Sequence, residues 1–294
     1  HKKMILVTGA TGHFGKATLQ ALLAKGIPAH QLTALVRNET AATDFKAQGL
    51  NTAIADYDDY ASLVTAFTGI EKLLFISGSD ILKRLTQHEN VINAAIDAGV
   101  KHVVYTSFQR KNETETSPLW IVAQSHIQTE RWLEQSGMAY TILKNNLYMD
   151  FLPGFIGENV LESGVLYVPA GQGKVGAVLR SDMAEAAATI LTTPNHEGKT
   201  YDFTNTQALS YEEIAITIAA VSGKKINYIS PSEVDYKTVL SHHGVPEEAI
   251  GIFSSFAIAQ AQGELDNESQ DLVKLLGRPP LPITDFLKQV YGNQ

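Results

Sequence analysis

A chain of 294 residues, 44% of them hydrophobic, is long enough for one large α/β domain or for a domain with a smaller lobe. Acidic residues outnumber basic ones, 31 to 23, for a net charge of -8, and no basic run overrides that total, which argues against a nucleic-acid groove of clustered lysine and arginine. The absence of cysteine removes disulfides, zinc–thiolate sites and thiol catalysis, and no apolar stretch is long enough to span a bilayer.

The opening "HKKMILV" leads straight into a predicted strand, which leaves no room for a signal peptide. His1 reads as a tag remnant or a replaced initiator. A cytoplasmic protein is the expectation. In chain order, predicted strands cover Met4–Thr8, Leu32–Val36, Asn51–Ala55, Lys72–Ser77, His102–Ser107 and Tyr140–Lys144. Predicted helices between them cover Lys16–Ala24, Thr40–Gln48, Tyr60–Phe67, Thr86–Ala98 and Ile121–Gln135. Strands that are apolar almost throughout belong in a sheet covered on both faces. Regular strand–helix alternation implies right-handed parallel crossovers. The expected fold is therefore α/β, a Rossmann-type doubly wound parallel sheet with ligands at the C-terminal ends of its strands.

After Lys144 the rhythm changes. "SGVLYVPAGQGKVG" reads as a strand and loop, and "SDMAEAAATILTT" as a helix capped by Ser181 or Asp182. "KTYDFT" reads as a strand, and "SYEEIAITIAAVSG" as an amphipathic helix ending at Gly223. "KINYIS" and helices from Ser232 and Pro246 complete a smaller, more helical α/β lobe. The expected division is a dinucleotide-binding domain over 1–147, its sheet completed by later segments, and a substrate lobe mainly over 148–294.

The stretch "VTGATGHFGK" places Gly9, Gly12 and Gly15 three apart, after a strand and before a helix. In a strand–turn–helix the first glycine permits the tight turn, the second lets backbone approach a pyrophosphate, and the third lets the helix lie close to the sheet. The spacing is G-x-x-G-x-x-G rather than the commoner G-x-G-x-x-G, so the context carries the reading. Thr11, His13 and Phe14 share the loop. At the end of the second strand, "LVRNE" offers Arg37 first, whose guanidinium suits the 2′-phosphate of NADP. Glu39, two residues on, is the competing acid that would hold an NAD ribose. The reading favours NADP. Asp56 follows the third strand, where an adenine amino group could be met, while Asp58 or Asp59 caps the next helix. Ser77 ends the fourth strand and Gly78 follows it, and Thr106 and Ser107 end the fifth; all four lie on the expected cofactor path.

The segments "VTGATGHFG", "LVRN", "ADYDD", "EKLLFISG", "NVINAAIDAGVKHVVYTS", "YTILKNNLYMDF" and "HEGKTYDFTN" come in an order and spacing that resemble the NmrA-like branch of the atypical short-chain dehydrogenase/reductases. Within it the likeness is nearest to the NADPH-dependent type 2 quinone oxidoreductases and the triphenylmethane dye reductases. The resemblance covers most of the chain. It implies a Rossmann-type domain, a small substrate domain, NADP as cofactor, and hydride delivery to a quinone, carbonyl or related electrophilic small molecule.

Ordinary short-chain dehydrogenases use Tyr-x-x-x-Lys. By resemblance, the lysine position here falls on His126 and the tyrosine position on Val122, so the usual proton-transfer pair is missing. His126 is a candidate proton or hydrogen-bond donor, or a helix histidine that holds a loop. The resemblance puts Asn145 beside the nicotinamide and Tyr148 in the acceptor pocket. Asn146 stands where the family more often has a small residue, and its side chain is a candidate substrate contact. Tyr148, Phe151, Phe155, Phe253 and Phe256 supply an apolar cavity wall.

"FQRKNETETSP" (108–118) is polar and long, and reads as a mobile flap or a plain surface loop. His242 and His243 are adjacent, which suits a helix end rather than a metal site, and no metal is expected. The expected partners are small-molecule acceptors, with no nucleic acid and no membrane, in a monomer or homodimer. The rival reading is a regulator that binds NADP(H) without turning it over and acts through a protein partner.

Overall fold

The computed structural model describes residues 4–293. His1, read above as a tag remnant or replaced initiator, lies outside them. Strand and helix alternate from the start. β1 (Ile5–Val7) leads to α1 (His13–Ala24), β2 (Leu32–Val36) to α2 (Glu39–Ala47), and β3 (Asn51–Ile54) to α3 (Tyr60–Phe67). Then come β4 (Lys72–Phe75), α4 (Arg84–Ala98), β5 (His102–Phe108), α5 (Trp120–Gln135) and β6 (Ala139–Asn145). The later elements are α6 (Leu152–Ile156), α7 (Val160–Ser163), β7 (Val165–Tyr167), β8 (Lys174–Val175), α8 (Arg180–Thr192), β9 (Lys199–Phe203) and β10 (Leu209–Ser210). α9 (Tyr211–Ser222), β11 (Asn227–Ile229), α10 (Glu233–His242), α11 (Glu247–Ala261), α12 (Asp271–Leu276) and α13 (Ile283–Tyr291) complete the chain.

Two compact units emerge. The first holds residues up to Phe108, Val122–Asn145 and Arg180–Asp202; the second holds Gln109–Ile121, Asn146–Leu179 and the chain from Phe203 on. The second half thus returns α8 and most of β9 to the first unit.

The first unit is built on a seven-stranded sheet in the order β3-β2-β1-β4-β5-β6-β9. β1 pairs in parallel with both β2 and β4, Ile5 opposite Leu32 on one side and Lys72 on the other, so the strand order reverses at β1. β2–β3, β4–β5 and β5–β6 are parallel as well. Every residue of β2 is buried, as expected of a strand covered on both faces. Leu73 and Phe75 of β4 and Val103 and Tyr105 of β5 point to one face, where they pack with Leu63, Phe67, Val91 and Leu133 from α3, α4 and α5. α1 packs against α8, whose Ala184, Ala186, Ala187 and Ala188 are fully buried and allow close approach.

α8 begins at Arg180, so Ser181 and Asp182 sit inside its first turn rather than capping it. That corrects the expected cap. A carboxylate in the first turn still favours the helix through the macrodipole. Asp59, by contrast, does cap α3, accepting from the backbone N–H of Ser62 at 3.2 Å.

The second unit contains two short ladders, β8–β10 antiparallel and β7–β11 parallel. Ser210 opens α9 with a reciprocal capping box to Glu213, and Gly223 ends it in the left-handed conformation. α9 packs on α13, and α10 on α11. His242 closes α10 and His243 follows it as its C-cap, so the two rings belong to a helix end. Among the described residues no cluster of three or more His, Asp or Glu side chains could hold a metal. No helix there is long and apolar enough to cross a membrane.

Candidate active site

The glycine loop lies between β1 and α1, at the strand-order reversal where open α/β sheets bind ligands. Gly9 has φ +58°, a left-handed turn that suits glycine, and its carbonyl accepts from the N–H of Gly12 at 3.0 Å. A side-chain carbon on Gly15 would collide with the Gly9 carbonyl and with Ala10, so Gly15 is required by helix-to-strand packing. Gly12 differs. It caps α1 at φ -79° and ψ 168°, backbone that any residue adopts, and a side-chain carbon there would meet only the Gly9 oxygen, at 3.4 Å. Nothing inside the protein requires glycine at this position. Gly12 is exposed at the start of a helix that carries no side-chain cap, with exposed Thr11 and His13 beside it and Phe14 buried behind. A bare helix N-terminus behind a vacant Cβ position is the cradle a pyrophosphate needs. A groove of about 570 Å³ runs beside the loop, lined by Thr11, Lys16, Gln20, Thr40, Asp44 and Gln48.

The ends of the neighbouring strands are tied to one another by side chains. Thr8 Oγ1 accepts from the N–H of Ile76 at 2.9 Å and lies 2.6 Å from the Tyr57 hydroxyl, which also reaches the Ile76 carbonyl at 2.7 Å. Burial raises the Tyr57 pKa well above its ordinary value, so the phenol keeps its proton. Ser77 donates its N–H to Thr106 Oγ1 at 2.9 Å. Gly78 is held on both sides: its N–H donates to His88 Nε2 at 2.9 Å, and its carbonyl accepts from Arg84 Nε at 2.9 Å. With Nε2 accepting, His88 carries its proton on Nδ1 and gives it to Thr129 Oγ1 at 2.9 Å. Burial and then the Arg84 charge hold the His88 pKa well below its usual value, in keeping with a neutral ring.

His126 lies on α5 and is buried. Its Nε2 is 3.2 Å from Arg84 Nη1, and its Nδ1 is 2.6 Å from the Tyr105 hydroxyl. A guanidinium only donates, so Nε2 is an acceptor and the ring proton sits on Nδ1, facing Tyr105. In this arrangement the Nε2 of His126 has no proton to give. Phe108 stacks on the imidazole, centroids 6.1 Å apart. Val122, one turn earlier, is a buried core residue. The Ser107 hydroxyl donates to the buried carboxylate of Glu130.

Arg37 follows β2 and is exposed, and it takes part in none of the ion pairs of the described residues. The competing acid, Glu39, is the first residue of α2 and pairs with Lys46 at 3.1 Å. Asp56 turns back on its own backbone, accepting from the N–H of Asp58 at 2.8 Å. Asn145 ends β6, buried, in register with Phe108. Tyr57, Arg84, His88 and Glu130 were not singled out in the sequence. Only their long-range partners mark them, and no local pattern carries that.

In the second unit, the side chain of Asn146 is fully engaged within the protein. Its Nδ2 donates to Thr204 Oγ1 at 2.9 Å and to the Leu265 carbonyl at 3.0 Å, and its Oδ1 accepts from Leu147 N–H at 2.7 Å. The expected substrate contact is corrected on that ground. Tyr148 stacks on Phe151, which is 49% exposed, at 5.9 Å. Phe155 is not cavity wall but core, edge-on to Phe253 at 5.4 Å and tilted against Tyr211 at 6.5 Å. The polar segment after β5 is anchored rather than loose. Glu264, buried, accepts from Asn112 N–H at 2.8 Å, and Asn267 Nδ2 donates to Gln109 Oε1 at 3.1 Å.

The model of the NmrA-like family matches residues 1–280. The chain is 38% identical to quinone oxidoreductase 2 of Escherichia coli over 290 residues, covering 98% of this chain and 99% of that one. A crystal structure of an Escherichia coli NADPH-dependent quinone oxidoreductase complexed with NADPH superposes with a TM-score of 0.90 at 38% identity, over 98% of this chain and all of that one. The triphenylmethane reductase of Citrobacter complexed with NADP(H) gives a TM-score of 0.88 at 39% identity, over 97% and 99% of the two chains.

Proposed function

The chain belongs to the NmrA-like family, and we propose that within it this protein is an NADPH-dependent reductase that passes a hydride to a quinone or a related electrophilic small molecule. The observation that carries the reading is the identity of 38% to a quinone oxidoreductase over nearly the whole of both chains. The vacant side of Gly12 supports it from the structure. The chain is an NAD(P)H-dependent oxidoreductase; the quinone is the finer step.

When bound, NADPH supplies the hydride. The chain's own residues bind and orient. The exposed start of α1 at Gly12, with Thr11, His13 and Phe14 around it, takes the pyrophosphate between Gly9 and Gly15. Arg37 takes the 2′-phosphate, and Asp56 lies toward the adenine. Ser77, Gly78, Thr106 and Ser107 line the path at the ends of β4 and β5. Asn145 stands near the nicotinamide, and Tyr148 with Phe151 contributes an aromatic surface for the acceptor. His126 serves by holding Arg84 and Tyr105. A quinone needs little acid help to accept a hydride, which suits a chain without Tyr-x-x-x-Lys. The rival, a regulator that binds the dinucleotide without turnover, is not favoured beside relatives named as reductases.

The test is loss of NADPH absorbance with purified protein and a panel of quinones, triphenylmethane dyes, ketones and aldehydes, with NADH in parallel. Saturable NADPH oxidation with quinones or dyes is expected. Tight NADPH binding without turnover on any acceptor overturns the reading.

A further inference from the structure

Arg84 is a buried guanidinium at the start of α4, close to the ends of β4 and β5. Three of its acceptors are neutral: the Gly78 carbonyl at 2.9 Å, Ser125 Oγ at 3.4 Å and His126 Nε2 at 3.2 Å. Burying a cation is costly, and a well-packed apolar residue would often serve stability as well. What the guanidinium adds is direction, because its fork is planar and donates along fixed lines. It joins three pieces of chain. Gly78 belongs to the turn after β4. Ser125 and His126 belong to α5. Arg84 itself opens α4.

Gly78 has both of its backbone polar groups gripped by side chains, Arg84 on the carbonyl and His88 on the N–H, so the two successive peptide groups that flank its Cα are both held. The two grips share a further layer. His88 rests on Thr129, whose hydroxyl donates to the Ser125 carbonyl at 2.6 Å, and Ser125 is also an Arg84 acceptor. His126 hands the same network on to Tyr105 of β5. A turn so held cannot shift without moving α4 and α5 against the sheet.

We propose that Arg84 is a positioning residue for the cofactor: through Gly78 and His126 it presets the backbone turn at Ser77–Gly78, along which the dinucleotide passes. The inference rests on the reading of that turn as part of the cofactor path. It predicts that Arg84 acts on NADPH binding without touching the cofactor.

The experiment compares the full chain with Arg84→Met, Arg84→Lys and Leu63→Ala, the last a core change in the same unit. NADPH affinity is read by fluorescence titration and folding by thermal unfolding. A residue that acts on a binding site through its neighbours changes affinity by about two- to thirtyfold, so Arg84→Met is expected to weaken NADPH binding roughly two- to thirtyfold. Arg84→Lys, which can still donate to Gly78, recovers part of the loss. Leu63→Ala lowers the melting temperature but keeps wild-type affinity. A folded Arg84→Met that binds NADPH as wild type does overturns the inference, as does a Leu63→Ala that loses affinity in step with its stability. Should Arg84→Met not fold, nitrogen-15 spectra of the wild-type histidines decide. His126 as the Nδ1–H tautomer supports the network, and His126 as the Nε2–H tautomer or the cation overturns it. A wild type that binds no NADPH at all overturns the cofactor reading itself, which is distinct from a wild type and variant that bind equally.

Discussion

A side-chain carbon built on Gly15 would run into the carbonyl oxygen of Gly9, whereas one built on Gly12 would stand 3.4 Å from that same oxygen. The two glycines therefore do different work. Gly15→Ala should destabilise the protein by about 1–3 kcal/mol, the cost of overpacking a closed contact, and show it as a lower melting temperature. Gly12→Ala should fold normally and lose NADPH affinity. Paired unfolding and binding curves separate them. Equal loss of stability in both variants would return Gly12 to packing.

Arg37 should carry the choice between the two nicotinamide cofactors. Hydrogen bonds to charged groups contribute about 1.5–3 kcal/mol each, so Arg37→Gln should weaken NADPH roughly ten- to a hundredfold and leave NADH nearly unchanged. The exposed position makes the effect smaller at high salt. The ratio of kcat/KM for NADPH and NADH, measured at two ionic strengths, checks both points. An unchanged ratio removes Arg37 from the 2′-phosphate.

The sheet is legible because its inner strands are apolar on both faces and its turns carry glycine where the backbone demands it. Leu32–Val36 reads as a buried strand and is one. The stop of α9 at Gly223 is likewise written locally. The side-chain network was not. Arg84 reads as an ordinary charged residue at a helix start, and its acceptors lie 6 and about 40 residues away. Asn146 invites a ligand because polar side chains at strand ends often face one; here a backbone carbonyl more than a hundred residues distant in sequence takes it instead. Periodicity reports which way a side chain points, not what waits for it. For the same reason the sequence alone does not separate Phe155 as pocket wall from Phe155 as core, which its contacts with Tyr211 and Phe253 make it.

Stability should fall as the medium turns acid, beginning near pH 6.5. His102 is buried at the start of β5 and donates through Nε2 to Thr141, whose own hydroxyl proton goes to the His196 carbonyl. Burial, then the nearby Lys72 charge, push its pKa down to about 4; Glu197 opposes them weakly and His196 adds to them. The unfolded chain takes up this proton near the ordinary value of 6.5, and the folded chain takes it up only near 4. Between those values the unfolded state binds more protons, so stability is lost as pH falls through the window. His88, also held neutral, acts in the same direction. His102→Gln keeps a donor for Thr141 but does not titrate. Its melting temperature should depend less on pH between about 6.5 and 4 than that of the wild type, and parallel profiles would refute the assignment.

The segment after β5 should be released by a change at Glu264. That carboxylate accepts from the N–H groups of Lys111 and Asn112, so it fixes the segment by its backbone rather than by its many polar side chains. Glu264→Ala should speed hydrogen exchange at those two amides and open residues 109–119 to proteases. Exchange rates as slow as in wild type would mean that the Asn267–Gln109 bond suffices alone.

Asn146 should prove to be a strut. Replacing it by alanine takes the acceptor from Leu147 N–H in a buried place, while the Leu265 carbonyl keeps the N–H groups of Gly176 and Asn267 and the Thr204 hydroxyl keeps its carbonyl acceptors. The expected loss is about 1–3 kcal/mol, the range for a buried polar group left unsatisfied, and it should appear in thermal unfolding. Asn146→Asp should not rescue it, since a carboxylate would face the Leu265 and Thr204 oxygens without a donor. Acceptor KM gives the contrary test. A contact with substrate would raise KM in a variant of full stability, whereas a strut lowers stability and leaves the KM of the folded fraction near wild type.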